Sequence, residues 1–135
     1  MELPADVVVL GIFVADTTYK AHRLPHMGET LIGSGFHLSP GGKGSNQAVA
    51  SARSLAKTHI ITKLGDDSFS EMALNLWKSS GVISEAMKVT GKSTGAAFVF
   101  LSEKTGDNAI IVSPGDAVGE ICSDFIQTKK ETIQN

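Results

Sequence analysis

Residues 40–47, Pro-Gly-Gly-Lys-Gly-Ser-Asn-Gln, place three glycines and a lysine directly before a predicted helix, a pattern that indicates a loop for a polar ligand. Glycines let backbone approach a ligand closely, and the unpaired N–H groups of a first helical turn favour oxygen-rich or anionic groups. A Walker A loop is excluded, because it requires Gly at His37 and Ser or Thr at Gly44. A dinucleotide fingerprint is excluded because Gln47 stands where a third Gly or Ala is needed. The alternative is a glycine-rich turn that only needs positive φ.

Asp16 is the second residue with chemical potential, because it stands near the end of the first predicted strand. In a doubly wound sheet, such a carboxylate and a glycine-rich turn at a helix start meet at the carboxyl edge of the strands. We therefore expect Asp16 and residues 41–46 to face one pocket. An ordinary strand-end carboxylate and a merely solvated Lys43 are the alternatives.

The composition supports one compact globular domain whose partner is a small molecule. The chain has 135 residues, 41% of them hydrophobic and 19% charged, and its formal charge is −2 without a basic block. This balance gives no support to nucleic-acid or anionic-membrane binding. Cys122 is the only cysteine, so no intramolecular disulfide is possible and a reducing cytoplasm is expected. The apolar run at residues 7–15 is too short for a membrane span, and no export signal is predicted.

Strands and helices alternate along the predicted fold. Val7–Leu10 is apolar and β-branched, as expected of a strand buried on both faces in a parallel sheet, and residues 59–64 predict the next strand, closed by Gly65. Between them, apolar residues recur at helical spacing over residues 48–56. Residues 17–40 are expected to form short strands and loops.

A second helix follows Gly65, with Asp66, Asp67 and Ser68 as possible caps and Glu71 completing a Ser-x-x-Glu capping box. Its apolar stripe places Phe69 and Trp77 in the core, and Gly81 is expected to close it in a left-handed conformation. The rest of the chain predicts a hairpin of residues 96–101 and 109–113, then a last helix containing Ile121, Cys122, Phe125 and Ile126. The alternation predicts an α/β fold with a parallel sheet and extra strands at two insertions.

Residues 41–50, Gly-Gly-Lys-Gly-Ser-Asn-Gln-Ala-Val-Ala, resemble the N-terminal signature of ribokinases, within the ribokinase-like (PfkB-type) carbohydrate kinases. The other matching segments agree in order and spacing: Val9-Leu10-Gly11 with Ala15-Asp16, Leu24-Pro25 with Gly28-Glu29-Thr30, Gly65-Asp66-Asp67-Ser68-Phe69, Ser93-Thr94-Gly95-Ala96 and Asp107-Asn108-Ala109-Ile110-Ile111-Val112. The resemblance covers residues 7–116. It implies a Rossmann-like α/β/α domain with a mostly parallel sheet and a small β-sheet lid, whose strands lie within residues 17–38 and 94–112.

The resemblance also implies which residues hold a sugar. In the family, the aspartate after the first strand and the glycine-rich loop bind sugar hydroxyls. These roles carry over to the following residues: Asp16, Gly42, Lys43, Gly44, Ser45 and Asn46. Val14 occupies a further binding position, and Ala97 and Val112 are implied as lid residues that face the sugar.

The sequence departs from the family at three places. Val14 stands where ribokinases often have Asn, so the identity of the sugar is open. Leu55 replaces a Gly near the end of the first helix, which must then end in some other way. The DTxGAGD-like loop, which supplies the general base and the anion hole for the γ-phosphate, is absent from residues 1–135, which therefore resemble an incomplete domain.

The function implied by the resemblance is ATP-dependent phosphorylation of D-ribose to ribose 5-phosphate. The complete family enzyme uses ATP, Mg²⁺ and a monovalent cation; none is expected to bind this chain alone, which carries the sugar-binding and lid half and is expected to be inactive. The alternatives are another PfkB-type sugar kinase, a non-catalytic sugar-binding or dimerisation module, and a truncated product without a function. A homodimer through the lid is expected.

The remaining reactive side chains have structural interpretations. The four histidines (His22, His26, His37 and His59) share no metal-ligand spacing, and we interpret them as surface or lid residues. Cys122 is interpreted as a buried, inert thiol on the apolar face of the last helix.

Overall fold

The computed structural model describes residues 4–134, which form two sheets joined by short crossings. The strands are β1 (Val7–Leu10), β2 (Val14–Ala21), β3 (Gly35–Gly41), β4 (Thr58–Gly65), β5 (Ile83–Val89), β6 (Gly95–Ser102) and β7 (Asn108–Ser113). The helices are α1 (Lys43–Arg53), α2 (Ser68–Ser80), α3 (Ser123–Gln127) and α4 (Lys130–Gln134), with a 3₁₀ helix at Asp116–Glu120.

The first sheet is parallel, in the order β1-β4-β5, and carries the core. Ile60 and Leu64 of β4 pack against α1 and α2 on one face. Trp77 of α2 is fully buried, and Phe13 meets its ring edge-on at a centroid distance of 6.1 Å. On the opposite face, Phe125 of α3 lies under the ammonium group of Lys63. The predicted α/β fold with a parallel sheet is confirmed.

Two strands of this sheet differ from the prediction. β1 is an edge strand rather than one buried on both faces, and Leu10 is 52% exposed because it lacks a neighbour on that side among the described residues. β5 was not predicted. Its Ser, Glu and Lys side chains give it no apolar run, because it forms the other edge of the sheet.

The second sheet has the order β3-β2-β6-β7. β2 pairs with β3 antiparallel and with β6 parallel, and β6 and β7 form the predicted hairpin. Its strands start before and end after the predicted ranges, since β2 begins at Val14 and β3 extends to Gly41. The sheet therefore reaches the start of α1 directly.

The caps of α2 are partly as predicted. Gly81 closes the helix in the left-handed conformation, at φ 81°. At the other end, the carboxylate of Asp67 accepts the N–H of Ser70, and the Ser-x-x-Glu box does not form. Glu71 pairs instead with Lys88 of β5.

Helix α1 ends in the way a glycine would end it, which corrects the prediction for Leu55. This residue is left-handed, at φ 71°, and 94% exposed. The N–H of Leu55 donates to the Ala52 carbonyl and the N–H of Ala56 donates to the Ser51 carbonyl, as in a Schellman motif. Leu55 thus adopts a left-handed backbone conformation, which is unfavourable for residues that carry a Cβ atom.

Two further predictions are wrong. Cys122 is exposed and precedes α3, because the predicted last helix is divided into two short helices and their packing is made by Phe125. His59 is buried rather than on the surface, since it lies within β4 and its Nδ1 is 3.3 Å from the Glu85 carboxylate.

Among residues 4–134, the helices are all too short and polar to cross a bilayer.

Candidate functional site

A cleft of about 680 Å³ lies between the end of β1, the start of α1 and one face of the second sheet. The residues that line it are Leu10, Gly11, Ile12, Val14, Asp16, Gly42, Lys43, Gly44, Asn46, Gln47, Ala97, Val99, Ile110 and Val112. All but one of the predicted site residues are among them. The segment after β1 and the glycine-rich loop, distant in sequence, therefore share one site.

Close backbone contact at two glycines brings these segments together. Gly42 caps α1 at φ 93°, and a Cβ there would lie 2.6 Å from the Ile12 carbonyl oxygen. A Cβ on Gly44 would lie 2.9 Å from the Cα of Gly11. The first turn of α1 can rest on the crossing from β1 to β2 only because these side chains are missing.

Asp16 lies in β2, on the cleft side of the second sheet, and not near the end of the first strand as predicted, because β1 ends at Leu10 and a separate strand begins at Val14. It lies in register with Ala97 of β6, which is in register with Val112 of β7, so the three form one row across the sheet. Its carboxylate lies against Gly41, where a Cβ would overlap it. Within residues 4–134 this carboxylate has no hydrogen-bond or ion-pair partner, and burial raises its pKa above the ordinary value.

The start of α1 supplies the other polar groups. Lys43 and Asn46 are exposed and line the cleft. The N–H groups of Ser45 and Asn46 donate to the Ile12 and Gly42 carbonyls. Those of Lys43 and Gly44 belong to the first helical turn and have no acceptor within the helix. The helix dipole adds positive potential at the same place.

Ser45 is the predicted site residue that the structure places elsewhere. It is fully buried, and its hydroxyl accepts a hydrogen bond of 2.9 Å from Trp77 Nε1. Its position on α1 explains this, because Ser45, Ala48 and Val49 lie at helical spacing on the face that packs into the core. That spacing is visible in the sequence and distinguishes Ser45 from Asn46.

The apolar wall of the cleft was only partly anticipated. Ala97 and Val112 lie in it as implied, and so do Val99 and Ile110, which sequence reasoning missed. Alternation along a strand could have found them, since residues two positions apart share a face. Val14 is buried and contributes no polar group to the cleft.

The site combines a polar floor with an apolar wall. A carboxylate, an amide and helix-start N–H groups can bind neighbouring hydroxyls, which both donate and accept. Aliphatic side chains can cover the carbon face of the same molecule. Within the described part of the chain, no three His, Cys, Asp or Glu side chains converge to hold a metal ion.

The structure is that of an α/β protein with a cleft at the carboxyl end of β1, a strand of the parallel sheet. The sequence matches the pfkB family carbohydrate kinases over residues 4–130. The chain belongs to this family.

Individual relatives agree with this assignment. A ribokinase of Bacillus subtilis is 40% identical over 111 residues, covering 82% of this chain and 37% of the relative. The structure of a ribokinase from Giardia lamblia matches with a TM-score of 0.82 at 30% identity, over 93% of this chain and 37% of that one. An Arabidopsis thaliana ribokinase complexed with ribose and ATP matches with a TM-score of 0.76 at 31% identity, over 84% and 37%. The chain thus spans about two-fifths of the length of the curated relatives it matches.

Proposed function

We propose that this chain is the sugar-binding part of a ribokinase-type kinase and that it binds ribose, or a closely related pentose, in the cleft between the two sheets. The observation that carries the proposal is the Asp16 carboxylate, partly buried and unpartnered within residues 4–134, beside the glycine-rich start of α1. A carboxylate in that position lacks hydrogen-bond donors that a diol would supply.

In the proposed complex, Asp16 accepts hydrogen bonds from two neighbouring hydroxyls. Asn46 can donate to and accept from a third, and the N–H groups at the start of α1 donate to hydroxyl oxygens. Lys43 shapes the loop and adds a donor at its rim. The row from Asp16 to Val112 lays aliphatic side chains over the carbon face of the sugar and excludes water from it.

The complete enzyme is proposed to transfer the γ-phosphate of ATP to the 5-hydroxyl of ribose with Mg²⁺, in the cytoplasm. Residues 4–134 hold no carboxylate cluster fit for the metal, and the loop at 40–47 lacks the residues of a Walker A site. We assign the general base and the phosphate-binding groups to the DTxGAGD-like loop that the family resemblance implies and that residues 1–135 lack. We expect the purified chain alone to show no ribose-dependent release of ADP from ATP, because the transferring phosphoryl group would lack stabilisation in the transition state.

Sugar binding can be tested by titrating the ¹⁵N-labelled chain with ribose. The proposal predicts saturable shifts of the amides at Asp16, residues 42–46 and Ala97, with little change in α2. Asp16→Asn should remove them, whereas the control Asp107→Asn makes the same chemical change in an exposed turn and should not. Unchanged binding in Asp16→Asn would overturn the site; no binding of any pentose would overturn the function.

The opposite face of the second sheet is proposed to form a homodimer. Its rows are Leu38-Thr17-Phe98-Ile111 and Phe36-Tyr19-Phe100-Ala109. Phe36 is 60% exposed and Ile111 is 70% exposed, and an open apolar face of this kind is costly in water. Sedimentation velocity should show a dimer at micromolar concentration that Ile111→Lys dissociates, with Met27→Lys as a control in an exposed loop. A monomeric wild type would contradict the dimer.

A further inference from the structure

Three connections join the two sheets, and a fourth leads from β7 to the 3₁₀ helix that packs against β4; two of these four border the cleft. The crossings from β1 to β2 and from β3 to α1 contain its glycines. The crossings from β5 to β6 and from β7 to the 3₁₀ helix lie elsewhere, and the first of these contacts the start of α2.

Asp67 connects that crossing to the first sheet with a single carboxylate. One oxygen accepts the N–H of Ser70, 2.9 Å away, and so caps α2. The other accepts the N–H of Thr94, 2.8 Å away, immediately before β6. The Thr94 hydroxyl is buried and accepts the N–H of Gly65, 2.9 Å away, at the end of β4. Thr94, the residue before β6, is therefore hydrogen-bonded both to the start of α2 and to the end of β4.

The backbone around Thr94, in the crossing from β5 to β6, is tightly packed on both sides. A Cβ on Gly65 would lie 2.7 Å from the Thr94 nitrogen, and a Cβ on Gly115 would lie 2.6 Å from the Ser93 carbonyl oxygen. On the other side, the Ser93 hydroxyl accepts the N–H of Asp116 at 3.0 Å. Segment 93–95 is thus held from both sides.

The position of Thr94 sets the position of the cleft wall. Gly95 follows it and lies in register with Val14, and Ala97 lies in register with Asp16. A strand displaced at its first residue carries Ala97 and Val99 with it, since β6 is a continuous strand paired on both sides.

We propose that Asp67 is a positioning residue: its two hydrogen bonds fix the second sheet against the first and thereby set the width of the cleft. We call the hydrogen bond from the Thr94 N–H to the Asp67 carboxylate the latch. The latch forms without a ligand, whereas its effect on sugar affinity rests on the proposed function. Burial alone would raise the pKa of Asp67, but the hydrogen bonds from Thr94 and Ser70 lower it, so the carboxylate stays ionised and able to accept both N–H groups.

Two variants keep the helix cap and remove the latch. In Asp67→Ser the hydroxyl can cap α2 but is too short to reach Thr94 as well, and in Asp67→Asn the amide has one accepting oxygen for two N–H groups. The control is Ser70→Ala, which removes the hydrogen bond from the Ser70 hydroxyl to the Asp67 carbonyl and leaves the carboxylate in place.

Each variant is examined by native-state hydrogen exchange and by electron–electron distance measurements. The spin labels are placed at two exposed positions, Lys78 of α2 and Lys104 of the β6–β7 turn, in a Cys122→Ser background. Both Asp67 variants should exchange the Thr94 amide at least tenfold faster relative to Ile60, and the label distance should broaden or lengthen. Ser70→Ala should lower stability without either effect.

The outcomes separate the latch from the function. If Thr94 exchange changes only in proportion to Ile60 and the distance is unchanged in both Asp67 variants, the latch is overturned and Asp67 is only a cap. If the latch effects occur and ribose binds the wild type several-fold more tightly than the variants, the positioning role is supported. If the latch effects occur but wild type binds no pentose, the proposed function fails while the latch stands.

Discussion

Two carboxylates in the region between the sheets have opposite surroundings. Asp16 has no partner within residues 4–134, and burial raises its pKa. Asp67 is also subject to burial, which by itself would raise its pKa, but the N–H and hydroxyl of Thr94 and the N–H of Ser70 lower it. The folded chain therefore satisfies the Asp67 carboxylate with hydrogen bonds, whereas the Asp16 carboxylate has none within residues 4–134. A carboxylate that the fold does not satisfy identifies the place where a ligand is expected.

The largest effect should come from Asp67→Ala. It removes a helix cap, worth about 1 kcal/mol, and a hydrogen bond from Thr94 to a charged group, worth about 1.5 to 3 kcal/mol. We expect the free energy of unfolding to fall by about 2 to 4 kcal/mol in urea titrations followed by the buried Trp77. Asp107→Ala, in an exposed turn, is the control. If Asp67→Ala lowered the free energy of unfolding by less than Asp107→Ala does, Asp67 would not be a structural carboxylate and would not differ from Asp16 in this respect.

Asp16→Asn should have the opposite profile. Neutralising a carboxylate whose pKa is raised by burial removes a desolvation cost, so the free energy of unfolding at pH 7 should stay equal or increase. Ribose affinity should fall at least tenfold, which corresponds to about 1.4 kcal/mol. Calorimetric binding and urea unfolding on the same samples check both parts. A variant that loses stability and retains affinity would show that Asp16 is a structural residue.

The pH dependence of stability should separate the two groups by sign. Asp67 has a lowered pKa in the folded state, so its contribution is present above its ordinary value of 3.8 and is lost as pH falls further. Asp16 has a raised pKa, so its cost is present at neutral pH and disappears as pH falls through the folded-state pKa towards 3.8. Unfolding between pH 2 and 7 should show a smaller acid loss below pH 3.8 in Asp67→Asn and a smaller gain on mild acidification in Asp16→Asn. Identical profiles in both variants would refute the assignment.

The smallest effect lies away from both carboxylates, at Leu55. Glycine accepts the left-handed conformation without the cost that a side chain bears, although it also gains freedom in the unfolded chain. Leu55→Gly should therefore raise the free energy of unfolding by about 0.5 to 1 kcal/mol and leave ribose affinity unchanged. Leu55→Ala serves as the control and should give no comparable gain. If Leu55→Gly changed the affinity for ribose, stability and sugar binding would be coupled at a residue outside the cleft, contrary to the separation that Asp16 and Asp67 suggest.

Sequence reasoning was most successful where a local pattern and the packing agree. The apolar run of β4 and the stripe and terminal glycine of α2 predicted those elements, because burial and positive φ select a few residue types. β5 escaped because its edge position lets polar side chains stand where an apolar run was expected. Asp67 was among the predicted caps of α2, but its second hydrogen bond, from the Thr94 N–H, joins residues distant in sequence and was not predicted.

The site was predictable to the extent that its residues are adjacent in sequence. The glycine-rich loop and Asp16 were expected to share a pocket, and the pairing of β2 with β3 brings them together; the apolar wall of the cleft depends on the pairing of β2 with β6, which links residues distant in sequence. Ser45 was expected to bind the ligand with the rest of the loop, but its helical spacing with Ala48 and Val49 places it on the core face of α1. His59 was misjudged because a histidine within a short strand gives no sign of the Glu85 carboxylate beside it.

The parallel pairing of β2 with β6 also determines when the cleft can form. The hydrogen bond from the Thr17 hydroxyl to the Ala97 carbonyl joins residues 80 positions apart in the chain. Closing so long a loop costs entropy before any contact compensates for it, and such non-local strand pairs form slowly. During synthesis Asp16 emerges well before β6, so for that interval β3 is the one strand of the second sheet with which β2 could pair. We therefore expect the apolar wall of the cleft to form late in folding, after the local pairing of β2 with β3.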